Sequence, residues 1–307
     1  MTAAALPVSG AQLVSEPWGG MLDLSGPAGP GPALKLPARR TASVRKRIPL
    51  PAPVDSLPEA VTCEPWGGMV GTATATALVA ASHGTSSPAG QSAVAALVRA
   101  VARRRPDLHV AEAFVDVQQP DVATTLAGLQ ERVRVVPLLL SAGYHVHVDL
   151  AEAAAGRPGT TVSGALGPDD RLIRVLARRL QQAGLRSGDR VVLACAGSTD
   201  ERAVADCARM AADLAQFIGR PVSTGYISAA RPALKDAVAA ERAWLDGRGC
   251  RNGRVVVATY LLAPGYFASL AAGCGADVVA RPLLVPEEEP PAELVDLVLE
   301  RFGRPGA

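Results

Sequence analysis

Residues Thr76 to Arg104 read TALVAASHGTSSPAGQSAVAALVRAVARR, and their punctuation decides the fold class. An apolar run at Ala77 to Ala81 is short for a helix and is bounded by turn residues, as a buried strand is. A Ser-His-Gly-Thr-Ser-Ser turn follows it, and then a helical period runs from Ala89 to Arg104. Strand, turn and helix in that order make one βα unit. The same alternation continues, with strands expected at Leu108 to Val115, Val133 to Leu140 and Thr160 to Leu166. Helices are expected near Asp121 to Glu131, Asp149 to Ala155 and Asp169 to Ala183. Strands alternating with helices predict a mostly parallel sheet covered on its faces.

The series then begins again. Strands are expected at Val191 to Ala196, Val222 to Ile227, Arg254 to Leu262 and Asp277 to Ala280. The helices between them fall near Glu201 to Phe217, Ala230 to Leu245, Phe267 to Ala272 and Ala292 to Phe302. ASHGTSS aligns with CAGSTDE, AFVDVQQP with GYISAARP, and SAGYH with APGYF. The spacing lengthens only across Ala240 to Gly253, a longer helix and loop. The reading is therefore α/β, with two tandem doubly wound, flavodoxin-like domains related by an internal repeat: 76–186 and a degenerate copy at 187–307.

Residues 1–75 are rich in Pro, Gly, Ala and Ser and have no sustained period, which reads as a flexible tail. EPWGGM occurs in it twice, ending at Met21 and Met69, and suits either a docking anchor or a duplicated linker. Its stretch Lys35 to Arg47 holds six basic residues and no acid, so a net charge of +2 leaves the rest slightly acidic; no nucleic-acid surface is expected. No apolar run reaches a membrane span and no basic residue precedes Lys35, so a cytoplasmic protein off the membrane is expected. Five scattered cysteines with no C-x-x-C pair read as incidental thiols.

In parallel sheets, ligands bind beyond the C-terminal ends of the strands. In the first half those loops hold Ser82, His83, Gly84, Thr85 and Ser86 after the first strand and Asp116 after the second. Gly143, His145, His147 and Asp149 follow the third. Three of the chain's four histidines lie in these loops. Imidazoles with a carboxylate suit first-row divalent ions and accept protons near neutral pH. His147 reaches the same side as His145 only in an extended segment, and Asp149 could equally cap a helix. The Ser/Thr loop lacks the spacing of a nucleotide triphosphate loop, so no use of ATP is expected.

The ordered set SHGTSSP, AFVDVQQPDV and VVPLLLSAGYHVHVDL resembles the CbiX/SirB family of sirohydrochlorin chelatases, relatives of ferrochelatase with the class II chelatase fold, over about residues 76 to 303. The resemblance implies insertion of Fe²⁺ or Co²⁺, as substrate, into a sirohydrochlorin-type tetrapyrrole, with no organic cofactor. It implies that His83 and His145 bind the metal and that Asp116 stands where the family has glutamate. Two other readings meet the same residues: a non-catalytic carrier of metal or tetrapyrrole, and a phosphate-binding flavodoxin-like protein. In the repeat, Ala196, Ser228, Phe267, Ser269 and Ala271 replace His83, Asp116, His145, His147 and Asp149. One site per chain and a monomer built as an internal pseudo-dimer are therefore expected.

Overall fold

The computed structural model describes residues 76–141, 149–250 and 252–304, all within one compact unit, Met69–Ala307. The expected tail with its EPWGGM repeats and basic stretch lies outside the described residues, as do Gly143, His145 and His147. The first half runs β1 (Thr76–Ser82), α1 (Pro88–Arg104), β2 (Val110–Phe114), α2 (Val122–Gly128), β3 (Arg132–Pro137), α3 (Asp149–Ala155), β4 (Thr160–Val162) and α4 (Asp170–Gln182). The second half repeats it as β5 (Arg190–Cys195), α5 (Glu201–Ile218), β6 (Val222–Tyr226), α6 (Leu234–Gly247), β7 (Val255–Tyr260), α7 (Tyr266–Ala272), β8 (Val278–Val279) and α8 (Ala292–Gly303). Two parallel sheets result, ordered β2-β1-β3-β4 and β6-β5-β7-β8.

The strands alternate their apolar side chains between two environments, as period two requires. Ala77, Val79 and Ala81 of β1 face Val122, Leu126 and Leu150 on the outer side of the first sheet. Leu78 and Ala80 face inward, into a single core shared with Leu193 and Cys195 of β5, Val256 and Ala258 of β7, and the buried faces of α1, α4, α5 and α8. Four helices are thus sandwiched between the two sheets. Both sheets have apolar strands on both faces, which is why their runs read as nearly continuous.

Packing crosses the repeat boundary. Helix α4, the last of the first half, packs on β7, while α8, the last of the second half, packs on β3 and α1. The hydrophobic stripe of α8, Leu294, Leu297 and Val298, is buried in the shared core. Each half therefore finishes the covering of the other's sheet.

Several elements are shorter than their apolar runs. Leu138 to Leu140 leave β3 after Pro137, and their apolar character reflects burial at the junction of the halves, where the Tyr260 hydroxyl donates to the Leu140 carbonyl at 2.9 Å. Helix α6 begins at Leu234 rather than Ala230 because Ser228 to Pro232 form a turn, with the Ala230 amide donating to the Ser228 carbonyl at 2.6 Å. It has 14 residues against seven in α2, which accounts for the lengthened spacing in the repeat.

Candidate active site

Register brings the candidate loops together. Ser82 pairs with Phe114, and Ala81 with Pro137, so β1, β2 and β3 end level and their following loops leave side by side. Ser82 closes β1 and is buried; His83 follows it directly and is exposed. The Val115 amide donates to the Ser82 carbonyl at 2.9 Å and the Asp116 amide to the His83 carbonyl at 3.0 Å. That pair of bonds extends the parallel ladder one step beyond the sheet and sets an imidazole-bearing residue beside a carboxylate-bearing one.

Gly84 makes this approach possible. Its φ is +90°, a region that L side chains avoid, and a Cβ there would collide with the Asp116 carbonyl oxygen. The exposed Asp116 carboxylate accepts from the Val117 amide at 2.7 Å, which turns the chain back. Val117 itself has φ +61°, unusual for a β-branched residue, and its side chain stands 58% exposed. Residues in such strained conformations persist where the surroundings hold them, often at functional sites.

The rest of the Ser/Thr loop belongs to the start of α1. Ser87 caps that helix by accepting from the Gly90 amide at 3.4 Å, and Thr85 Oγ1 accepts from the Ser87 amide at 3.1 Å. The Thr85 amide is taken by Gln118 Oε1 at 2.8 Å, which ties the His83 loop to the Asp116 loop a second time. Sequence reasoning missed Gln118, since a polar residue in a turn carries no signal of its partner. Ser86 is exposed beside them. Asp149 opens α3.

The second half repeats this junction in its backbone. Ile227 donates to the Cys195 carbonyl at 2.9 Å and Ser228 to the Ala196 carbonyl at 2.9 Å, and a Cβ on Gly197 (φ +94°) would collide with the Ser228 carbonyl oxygen. Ala229 takes φ +55° where Val117 takes +61°, and both turns contain a cis X-Pro bond, at Pro232 and Pro120. The side chains differ. Ala196 offers no ligand, and the Ser228 hydroxyl is turned back onto the Ala196 carbonyl at 2.9 Å.

The loop after β7 reaches the first half's site. A Cβ on Gly265 would lie 3.1 Å from Thr85 Oγ1, and one on Gly90 would collide with the Pro264 carbonyl oxygen. Pro264 and Gly265 thus border the loop that bears His83, and Tyr266 and Phe267 follow them directly at the start of α7.

Among the described residues, no group of three or more His, Cys, Asp or Glu is placed to hold a metal ion; His145 and His147 lie outside them. Cys195, Cys207 and Cys274 are buried and Cys250 is exposed. Contact with Cys207, together with burial, pushes the Cys195 thiol well above its usual range, which keeps it an inert core group. No helix among the described residues is long and apolar enough to cross a membrane.

A family model described as CbiX matches residues 77–183 and 190–270, well over half of the chain. No curated protein sequence matches it. Among solved structures, SirB from Bacillus subtilis with Fe³⁺ is similar, with a TM-score of 0.59 and 19% identity over 74% of this chain and 94% of that one. The sirohydrochlorin chelatase SirB from Bacillus subtilis subspecies spizizenii, in complex with cobalt, gives 0.55 and 18%, covering 74% and 93%. CbiX, described as the terminal enzyme of sirohaem biosynthesis in denitrifying bacteria, gives 0.51 and 17%, covering 74% and 97%. At these identities the structures speak for the fold.

Proposed function

Because this chain belongs to the CbiX family, we propose that it is a sirohydrochlorin chelatase, inserting Fe²⁺ or Co²⁺ into the tetrapyrrole without ATP in sirohaem or cobalamin biosynthesis. The observation that carries the reading is the junction at which the Asp116 amide meets the His83 carbonyl. It presents an imidazole and a carboxylate from two neighbouring strand ends in the first half. The identical junction in the second half presents neither.

In the reaction, His83 and His145 ligate the incoming metal ion, and Asp116, next to His83, stands as a proton acceptor. Two pyrrole N–H protons leave as two metal–nitrogen bonds form, so bases within hydrogen-bond reach lower the barrier. Asp116 has one methylene fewer than the glutamate of the family pattern. The backbone contact between residues 116 and 83 nonetheless keeps the shorter carboxylate next to His83. His147 and Asp149 are further candidate ligands. Ser82, Gly84, Thr85 and Ser86 shape the turn that carries His83, and Gly143 is the proposed counterpart for His145. The second half closes the fold around this site, so the working unit is one chain with residues 76–186 as its chemical half and 187–307 as its structural half.

Anaerobic incubation with sirohydrochlorin and Fe²⁺, Co²⁺ or Ni²⁺, followed by absorption, tests the proposal. Enzyme-dependent insertion of at least one ion is the expected result. Tight binding of metal or tetrapyrrole with no acceleration over the uncatalysed reaction would make the protein a carrier instead.

A further inference from the structure

The exposed large apolar side chains of the described residues are Val117, Phe217, Trp244, Tyr266, Phe267 and Leu270. Trp244 is covered by the guanidinium groups of Arg190 and Arg248, at 4.1 and 4.4 Å from its ring, and Phe217 stands alone on α5. The other four lie next to, or on the same short helix as, residues that meet at Thr85. The Thr85 amide donates to Oε1 of Gln118, the neighbour of Val117, and Thr85 Oγ1 would lie 3.1 Å from a Cβ on Gly265, which Tyr266 and Phe267 follow directly. Leu270 lies one turn further along α7, three and four residues on, and so shares their face. Scattered apolar residues on a surface need no explanation, but a cluster around a candidate site does.

Resting on the reading of this chain as a sirohydrochlorin chelatase, we propose that Tyr266, Phe267 and Leu270 of the second half, with Val117 of the first, seat the flat apolar ring of the tetrapyrrole against the His83 loop. The chemistry fits in three respects. The Tyr266 and Phe267 rings lie 6.1 Å apart and tilted by 36°, with Tyr266 72% exposed, so they offer π faces that are not spent on each other. No acidic residue occurs from Leu261 to Ala276 or from Ser82 to Pro106, so a polyanionic ligand meets no like charge on these two segments. A β-branched side chain held exposed at φ +61° is otherwise a cost with no return, and the equivalent residue of the second half is only Ala229. Phe267 occupies the repeat position of His145. The second copy thus exchanged a ligand for a wall, and it contributes to the first copy's site across the junction of the halves.

These are positioning residues, so their loss acts on the macrocycle and not on the metal. In the full chain, Tyr266→Ala combined with Phe267→Ala should weaken sirohydrochlorin binding, read by absorption titration, by at least about tenfold. KM should rise similarly, with saturating kcat within about threefold. Co²⁺ affinity and melting temperature should be unchanged, and Tyr266→Phe with Phe267→Tyr should restore binding. Phe217→Ala serves as an exposed aromatic control with wild-type behaviour. Wild-type sirohydrochlorin affinity in the double alanine variant overturns the proposal and leaves the chelatase reading standing, as does an equal loss of Co²⁺ affinity. If the unaltered chain binds no sirohydrochlorin at all, both the chelatase reading and this wall fall together.

Discussion

Arg179 and Arg301 perform the same task for opposite halves of the molecule. Arg301 of α8 donates through Nη2 to the Leu166 carbonyl at 2.9 Å, and Arg179 of α4 donates through Nη2 to the Leu283 carbonyl at 3.0 Å. Leu166 and Leu283 are themselves equivalent, since each donates to a carbonyl just past the central strand, Leu139 at 2.8 Å and Leu261 at 3.1 Å. A contact that is returned in this way is what a two-fold interface produces, here within one chain. The exchange of α4 and α8 and this pair of guanidinium groups make the two halves an internal pseudo-dimer.

Each of these arginines is buried and satisfies carbonyls that no water reaches. Arg179→Met and Arg301→Met should therefore each destabilise the fold by roughly 1–3 kcal/mol, the cost of leaving a buried acceptor unpaired. Chemical denaturation would measure it. Arg301 also donates through Nε to the Ala165 carbonyl at 2.8 Å, so its loss should be the larger. Equal stability of both variants and the parent would contradict the pseudo-symmetric role.

Asp169 adds a pH dependence at the same junction. Burial pushes its carboxyl up, but hydrogen bonds from Arg171 and the charge of Arg301 outweigh burial and hold it below the usual range. A carboxyl with a depressed folded-state pKa stabilises the fold above its unfolded value, about 3.9, and that contribution is lost as pH falls through the folded value. Asp169→Asn should lower the melting temperature at pH 7, and the gap from wild type should close below about pH 4. Melting curves across pH 3 to 7 would check both statements.

Much of this was readable from the chain, and the unread part has a common physical reason. Strand and helix order, the repeat and the turn glycines are local signals, and the collision that Gly84 avoids recurs at Gly197. What the sequence hides is partner choice. The stripe of α8 announces a buried face, but nothing in Leu294, Leu297 or Val298 says that the face belongs to the first sheet. Likewise Leu138 to Leu140 read as strand because apolar runs announce burial and not pairing. At the candidate site, the places of His83 and Asp116 directly after strands are legible in the sequence, whereas Gln118 and the approach of Gly265 to Thr85 depend on contacts between distant loops.

The chemical asymmetry of the halves predicts an asymmetry in mutants. His83→Ala, His145→Ala and Asp116→Ala should each reduce insertion by about a hundredfold or more, the usual cost of losing a general base or ligand. Their melting temperatures should stay near wild type, since His83 and Asp116 are exposed. Ser228→Ala should retain full turnover, because that hydroxyl bonds only back to the Ala196 carbonyl among the contacts it makes here. Turnover above about a tenth of wild type in the His83 variant would argue against its role.

Metal stoichiometry follows from the same comparison. Calorimetric titration of Co²⁺ or Ni²⁺ should find one tight site per chain, and the site should vanish in a His83→Ala, His145→Ala double variant. A tight site that survives in that variant would place metal chemistry in the second half.

The glycine pair separates folding from chemistry most cleanly, because the backbone geometry is the same in both halves while the side chains are not. Gly84→Ala forces a Cβ into the Asp116 carbonyl at φ +90°, and Gly197→Ala forces one into the Ser228 carbonyl at φ +94°. Each substitution must push apart the same ladder step, His83 from Asp116 or Ala196 from Ser228. The two should therefore lose comparable stability, about 1–3 kcal/mol for a strained backbone position. Their effects on insertion should differ. On the proposed reading, displacing Asp116 from His83 disturbs two groups that act together, and misplacement by about 1 Å can cost a hundredfold in rate. Displacing Ser228 from Ala196 moves two groups that the proposed chemistry does not use. Gly84→Ala should then lose most of its turnover at a temperature where both variants are folded, while Gly197→Ala keeps most of it. Equal losses in the two would mean that the second junction contributes to the reaction as much as the first.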